Sequence, residues 1–124
     1  MISLKRLAKS FIYAGRGLVK IFREEQNFRI EVFVGFLVIV LAFLLSLSFI
    51  EIAILIVVIG FVLLMEIMNT LVEAMSDLLK PKLDHYVKII KDMGAAAVML
   101  SALVAISVGF CIFWPHIKFL VASN

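Results

Sequence analysis

Three uncharged apolar segments constrain this chain more than any other feature of its sequence. No charged side chain occurs in residues 32–50, 52–65 or 93–117. A helix of about 20 apolar residues crosses the ~30 Å hydrocarbon layer of a bilayer. The first and third segments are long enough, and the second becomes so if its helix continues through the polar positions that follow Met65. The sequence therefore predicts an all-α membrane protein with three transmembrane helices.

The composition excludes other classes of small protein. Of the 124 residues, 65% are hydrophobic and 17% are charged, whereas soluble domains average about 45–50% apolar and about 25% charged residues. A short chain buries too little of its surface to hide so many apolar side chains in a water-soluble core. The single cysteine excludes a disulfide scaffold, and the abundance of Ile, Leu, Val and Phe excludes a disordered chain. We therefore expect one integral-membrane domain, residues 1–124.

Lysine and arginine are distributed unevenly around the apolar segments. Seven precede the first span, four lie between the second and third, and Lys118 follows the third. Cytoplasmic loops are enriched in these residues, so we expect a cytoplasmic N-terminus and an outer C-terminus. The spans are predicted at about 31–50, 52–75 and 93–115, with Glu51 in the outer turn. The basic residues then meet anionic lipid headgroups, and the net charge of +3 requires no nucleic-acid partner.

The segment before the first span, about residues 4–28, has the pattern of an amphipathic helix. Its apolar stripe consists of Leu4, Leu7, Phe11, Leu18 and Phe22. The basic side chains of the same segment lie roughly 145° away around the helix axis. Helices of this kind lie in the interface of a bilayer. We therefore expect an N-terminal surface helix on the cytoplasmic side of the membrane.

Four polar side chains share one face of the helix that continues the second span. They are Glu66, Asn69, Glu73 and Asp77, spaced i, i+3, i+7 and i+11. A rise of 1.5 Å per residue places Glu66 about 22 Å from Glu51, inside the inner edge of the hydrocarbon. A carboxylate at such a depth costs roughly 2.5–3.5 kcal/mol and marks a functional candidate. Clusters with oxygen ligands alone suit Mg²⁺ and phosphate better than zinc.

Other interpretations of these residues stay open at this point. Polar side chains also pair helices within a bilayer, and carboxylates in a non-catalytic oligomer can form a cation-binding ring. Asp92 can cap the third span, and Lys91 can pair with an acid or hold a phosphate. Small residues recur every four positions in that span, which favours close helix packing in an oligomer or a tight bundle. They are Ala97, Ser101, Ala105 and Gly109.

A family signature is present in two parts, EIMNTLVEAMSD at 66–77 and KDMGAAAV at 91–98. Together they resemble the signature of the prokaryotic integral-membrane diacylglycerol kinase and undecaprenol kinase family. The segment EQNFRIE at 25–31, with Tyr13 and Gly17-Leu18 before it, resembles the family's surface helix and the entry to its first span. The resemblance covers essentially the whole chain. It implies a homotrimeric lipid kinase of the bacterial inner membrane, with sites shared between neighbouring subunits.

The resemblance also implies a reaction and roles for single residues. The γ-phosphate of Mg-ATP passes to the primary hydroxyl of diacylglycerol or of undecaprenol, with Glu66 as the catalytic base. Glu25 and Glu73 are the implied metal ligands. The implied ATP-binding residues are Arg6, Tyr13, Glu25, Glu73, Asp77, Lys91 and Asp92. Supporting or substrate-binding roles fall to Asn69, Arg29 and Glu31. The family usually has a histidine where this chain has Asp84, so His85 receives no role.

Overall fold

The computed structural model describes residues 3–79 and 84–122, and within these ranges the chain is helical apart from short connections. The four helices are α1 (Leu4–Glu24), α2 (Gln26–Leu44), α3 (Phe49–Leu79) and α4 (Asp84–Ala122). The most extensive packing joins α3 to α4, while α2 packs against α3 and α1 contacts α2. Two basic residues used to predict the orientation, Lys80 and Lys82, lie outside the described residues.

Three of the helices are long and apolar enough to cross a membrane, as the sequence predicted. The candidate spans are Gln26–Leu44, Phe49–Leu78 and His85–Ala122. At 1.5 Å per residue, α3 is roughly 46 Å long and α4 roughly 58 Å long, so both exceed the ~30 Å of hydrocarbon. Large apolar side chains stay exposed on all three spans, including Phe33, Val57 and Ile106. Such exposure is expected of helices that face lipid or another subunit.

The junction between α1 and α2 lies earlier than the sequence indicated. The helix expected over residues 4–28 ends at Glu24, because the backbone of Glu25 is extended, with φ −96° and ψ 115°. Arg29 then reaches back to the end of α1. Its Nη1 donates to the carbonyl oxygens of Phe22 at 3.1 Å and Arg23 at 2.7 Å. These bonds satisfy carbonyls that a helix end leaves without partners, so Arg29 fastens α1 to the first turns of α2.

The turn between α2 and α3 covers residues 45–48, before the expected position at Glu51. Ser46 adopts the left-handed region there, with φ 54°. Glu51 lies in the first turn of α3, where its Oε2 accepts hydrogen bonds at 2.8 Å from both the backbone N–H and the hydroxyl of Ser48. The backbone N–H of Glu51 faces Ser48 Oγ in return, at 3.4 Å. This reciprocal arrangement is a capping box, which fixes where α3 begins.

Helix α4 is longer than the predicted span at both ends. It begins at Asp84, eight residues before Asp92, and continues through Pro115 to Ala122. The alternative in which Asp92 caps this helix is therefore excluded, because Asp92 lies inside it. The stripe of small residues on α4 faces the interior of the chain: Ser101 is buried, and Ala97, Ala105 and Gly109 are half-buried.

The buried apolar core lies at one end of the bundle. Ala42, Leu47 and Leu55 form it, next to the turn that joins α2 to α3. Further from that turn, α2 comes close to α3 at Gly35, where an added Cβ would lie 2.7 Å from Cγ2 of Ile59. The polar residues of α3 occur toward the other end of that helix. The fold therefore separates an apolar end from a polar end.

Candidate active site

Glu66 is the centre of the polar end, and only 2% of it is exposed. Carboxylates are almost never buried to this extent unless they have partners. The side chain of Asn27, from the first turn of α2, lies close to the carboxylate of Glu66. One turn further along α3, the hydroxyl of Thr70 donates to the backbone carbonyl of Glu66 at 3.1 Å. The carboxylate of Glu66 is therefore enclosed by protein.

Three further carboxylates interact electrostatically with Glu66. Glu25 comes from the junction of α1 and α2, Glu31 from α2, and Glu73 from α3. Like charges gathered in one site repel unless a proton or a cation lies among them. The Oε2 atom of Glu31 is buried and has no hydrogen-bond partner within residues 3–79 and 84–122. This set of carboxylates can accept protons or bind cations.

Asn69 lies between the carboxylates and α4. Its Nδ2 donates to Oε1 of Glu73 at 3.4 Å. Its Oδ1 is buried and finds no hydrogen-bond partner in the described part of the chain. Gly94 of α4 lies opposite, so close that a Cβ built there would be 2.5 Å from that oxygen. The amide is thus held between Glu73 on one side and the backbone of α4 on the other.

Lys91 brings a positive charge to the same region. Its Nζ lies 2.6 Å from Oδ1 of Asp77, which joins α4 to α3, and it also interacts electrostatically with Glu73. The neighbouring residue, Asp92, is exposed. Cation and carboxylates together can bind the phosphates of a metal-bound nucleotide.

The remaining predicted residues are Arg6 and Tyr13 on α1, and Arg29 on α2. Arg6 and Tyr13 are exposed, and the contacts described for them are with α1 and its N-cap, Ser3. The hydroxyl of Ser10 donates to the carbonyl of Arg6 at 3.1 Å, and the guanidinium of Arg16 lies 5.9 Å from the ring centroid of Tyr13. Arg29 binds the carbonyls that end α1. The structure therefore groups Glu25, Glu31, Asn69 and Glu73 around Glu66, and shows no contact between these residues and Arg6 or Tyr13 within the described ranges.

The carboxylates around Glu66 suit a metal ion that is shared with a substrate. No three His, Cys, Asp or Glu side chains in the described ranges are arranged to hold one by themselves. Mg²⁺ in kinase sites usually takes only one or two carboxylates, together with waters and substrate phosphates. A pair such as Glu25 and Glu73, which belong to different elements and both interact with Glu66, fits that kind of site.

An apolar cavity of about 420 Å³ lies between α2, α3 and α4. Glu31 lines it together with apolar residues such as Val38, Leu55, Val62 and Ala105. The apolar lining suits a hydrocarbon chain, and the carboxylate of Glu31, which interacts with Glu66, borders the cavity. The carboxylates and the apolar cavity are therefore adjacent.

Two residues of this site were not predicted from the sequence. Asn27 lies in the segment EQNFRIE, but its spacing from Glu66 does not indicate that α2 turns it toward α3. The sequence contains a weak indication of Gly94. Glycine lowers the stability of a helix, so a glycine before three alanines suggests that a side chain has no room at this position. Both depend on how separate helices pack.

Similarity to known proteins extends over most of the chain. A sequence model of the family described as prokaryotic diacylglycerol kinase matches residues 12–113. An undecaprenol kinase of Bacillus subtilis is 36% identical over 114 residues, covering 92% of this chain and 93% of the relative. A diacylglycerol kinase of Synechocystis sp. is 40% identical over 110 residues, which are 88% of this chain but only 63% of the relative. A diacylglycerol kinase of Escherichia coli K12 is 31% identical over 111 residues, 90% of this chain and 91% of the relative.

Proposed function

The chain belongs to the prokaryotic diacylglycerol kinase family, and we propose that it transfers the γ-phosphate of ATP to the primary hydroxyl of a membrane lipid alcohol. Its relatives are named as undecaprenol kinase and diacylglycerol kinase, and the chain is accordingly a lipid kinase. Family membership favours an enzyme over a non-catalytic ring of carboxylates. The proposed acceptor is diacylglycerol or undecaprenol.

The burial of Glu66 beside Asn27 is the observation that carries the proposed mechanism. An enclosed carboxylate within reach of a lipid hydroxyl can act as the base that takes its proton. The hydroxyl oxygen then forms a bond to the γ-phosphorus. The bond from that phosphorus to the bridging oxygen breaks, ADP leaves, and the proton stays on Glu66 until it passes to water.

Glu25 and Glu73 are proposed to hold Mg²⁺ on the ATP phosphates. Bound there, the metal would neutralise charge that develops during the transfer. Lys91 contributes a positive charge to the same phosphates, and its electrostatic interaction with Glu73 supports that assignment. The other residues proposed to bind the nucleotide are Arg6, Tyr13, Asp77 and Asp92.

Three further residues are proposed to support this arrangement. Asn69 donates to Glu73 and so restrains one of the proposed metal ligands. Arg29 holds the end of α1, which carries Arg6 and Tyr13, against α2. Glu31 borders the apolar cavity and interacts with Glu66, which supports contact with the polar end of the lipid.

We propose that three copies assemble with sites shared between neighbours. The exposed apolar side chains of α2, α3 and α4 support helix packing between subunits. In a shared site, a neighbouring subunit would supply part of the surroundings of the nucleotide.

The proposed location is the bacterial inner membrane. Three spans put the two ends of the chain on opposite sides, and the excess of Lys and Arg near α1 supports a cytoplasmic N-terminus. The apolar stripe of α1, with Leu4 and Phe11 exposed, supports a position in the cytoplasmic interface. The acidic residues and ATP then occur on the same side of the membrane.

The proposal is tested by transfer of labelled phosphate from Mg-ATP in mixed micelles, with diacylglycerol and undecaprenol supplied separately. We expect labelled product from one of the two lipids. The variant Glu66→Gln should lower kcat by about 10²- to 10⁴-fold while it keeps its helical content and oligomeric state. The matched control is Glu24→Gln, the same change at an exposed residue whose nearest described partner is Lys20 at 4.0 Å.

Two results would contradict the proposal. A folded, oligomeric protein that labels neither lipid is not the kinase proposed here. A Glu66→Gln variant with the kcat of the Glu24→Gln control would exclude Glu66 as the base, even if the lipid is phosphorylated.

A further inference from the structure

Gly94 occupies a position at which no side chain fits without moving Asn69. A Cβ at residue 94 would lie 2.5 Å from Oδ1 and 3.6 Å from Cγ of Asn69, and 3.7 Å from Cγ1 of Val72. The first distance is far shorter than real contacts of a Cβ atom, while the other two are ordinary. A methyl group at residue 94 would therefore displace the end of one amide, and α3 and α4 could keep their spacing.

The direction of that amide is fixed by its neighbours. Nδ2 of Asn69 donates to Oε1 of Glu73 at 3.4 Å. A carboxylate only accepts hydrogen bonds, so the nitrogen rather than the oxygen must face Glu73. Oδ1 then lies in the space in front of Gly94, buried and without a hydrogen-bond donor from residues 3–79 or 84–122. A group that fills this space has to push the amide of Asn69 out of its position, and Nδ2 moves with it.

Helix stability does not account for a glycine at this position. Alanine is a better helix former than glycine, and three alanines follow Gly94 directly. Two other glycines of the long helices, Gly60 and Gly109, would meet nothing within 4 Å if they carried a Cβ. At Gly35 the atom in the way belongs to Ile59, an apolar side chain. Only at Gly94, among the glycines described, does the missing side chain leave room for a polar group.

We propose that Gly94 is a positioning residue for phosphate transfer, because it leaves the space in which the Asn69 amide stays directed at Glu73. Gly94 acts through Asn69 and touches no substrate itself. The inference rests on the proposed function, in which Glu73 is one of the two ligands of Mg²⁺. It assigns the glycine of the KDMGAAAV segment a part in metal and nucleotide binding.

The asparagine content of the chain allows a direct test that needs no enzyme activity. The sequence contains only Asn27, Asn69 and Asn124, so protein labelled with ¹⁵N-asparagine gives three side-chain amide signals. Loss of one signal in Asn69→Ser identifies that of Asn69. We expect Gly94→Ala to shift this signal and Gly60→Ala, the matched control on α3, to leave it unchanged.

Kinetics then tests the consequence for the reaction. Displacement of a group by a fraction of an ångström to 1 Å can lower activity on the order of 10- to 100-fold. We expect Gly94→Ala to lower kcat/KM for Mg-ATP to this extent and to raise the Mg²⁺ concentration needed for half-maximal rate. The KM for the lipid alcohol should stay that of the wild type, and Gly60→Ala should match the wild type in every constant.

An unshifted Asn69 signal in Gly94→Ala would overturn the proposal, as would a shifted signal with unchanged Mg²⁺ and Mg-ATP dependence. If Gly94→Ala does not fold, the double variant Gly94→Ala/Asn69→Ala tests the contact, because it removes the amide that the new methyl group would meet. Recovery of the folded oligomer supports the contact, and failure to recover overturns it. A wild-type chain without phosphate transfer contradicts the proposed function, while the amide signal still decides whether Gly94 positions Asn69.

Discussion

Nζ of Lys91 lies 2.6 Å from Oδ1 of Asp77, and this ion pair joins α4 to α3 at the polar end of the bundle. The two side chains are 32% and 59% exposed, so water screens their attraction and the pair contributes little to stability. The position of the pair matters more than its stability, because Lys91 also interacts electrostatically with Glu73. The ion pair therefore keeps a cation beside the carboxylates proposed to bind metal and ATP.

Removal of the Lys91 charge should weaken nucleotide binding more than it affects the fold. We expect Lys91→Met to raise the KM for Mg-ATP on the order of tenfold, since it loses a charge-assisted contact to phosphate. Asp77→Asn should cause a smaller rise, because the lysine remains. Lys88→Met, on the same helix and exposed, is the matched control. Equal KM values in the two lysine variants would exclude Lys91 from the nucleotide site.

Loss of the negative charge of Glu73 should raise the Mg²⁺ concentration that the reaction needs. In Glu73→Gln an amide oxygen can still accept from Nδ2 of Asn69, so the local geometry survives while the charge is lost. We expect the Mg²⁺ concentration for half-maximal rate to rise on the order of tenfold or more. Titration of Mg²⁺ at saturating ATP measures this change, with Glu24→Gln as the control. Unaltered Mg²⁺ dependence would mean that Glu73 is not a metal ligand.

The capping box at the start of α3 should determine stability and leave catalysis unchanged. Ser48→Ala removes the hydroxyl that bonds to Oε2 of Glu51 at 2.8 Å. We expect the free energy of unfolding to fall by about 1 kcal/mol, measured by denaturation in mixed micelles. The kcat should not change, because Ser48 and Glu66 are roughly 27 Å apart along the helix. Ser107→Ala, whose hydroxyl bonds within α4 at 2.8 Å, is the control, and equal losses in both variants would contradict the assigned cap.

The sequence predicted the spans and the polar face of α3 because both depend on local periodicity. Freedom from charge over about 20 residues and the spacing of Glu66, Asn69 and Glu73 are properties of one helix at a time. The family signature linked these residues to a reaction. Helix ends were less predictable, since the turn at residues 45–48 contains neither Gly nor Pro, and α4 extends through polar residues well beyond its apolar segment.

Contacts between helices were not predictable from periodicity. The approach of the Asn27 side chain to Glu66 depends on the rotation of α2 relative to α3. The close approach of Gly94 to Asn69 depends on the distance between α3 and α4. Neither quantity follows from the spacing of residues along one helix, because it is set by the packing of all the side chains between them.

Helix α3 runs without a break from Phe49 to Leu79, so the distance between two residues along it is fixed. The rise of an α-helix hardly stretches, so the carboxylate of Glu66 stays about 22 Å from Glu51 whatever the surrounding lipid. In a thicker or thinner bilayer, the lipid headgroups therefore lie at a different height relative to Glu66. In the proposed mechanism a lipid has to present its hydroxyl at the height of Glu66, so a change in membrane thickness should change which lipid alcohols reach that carboxylate.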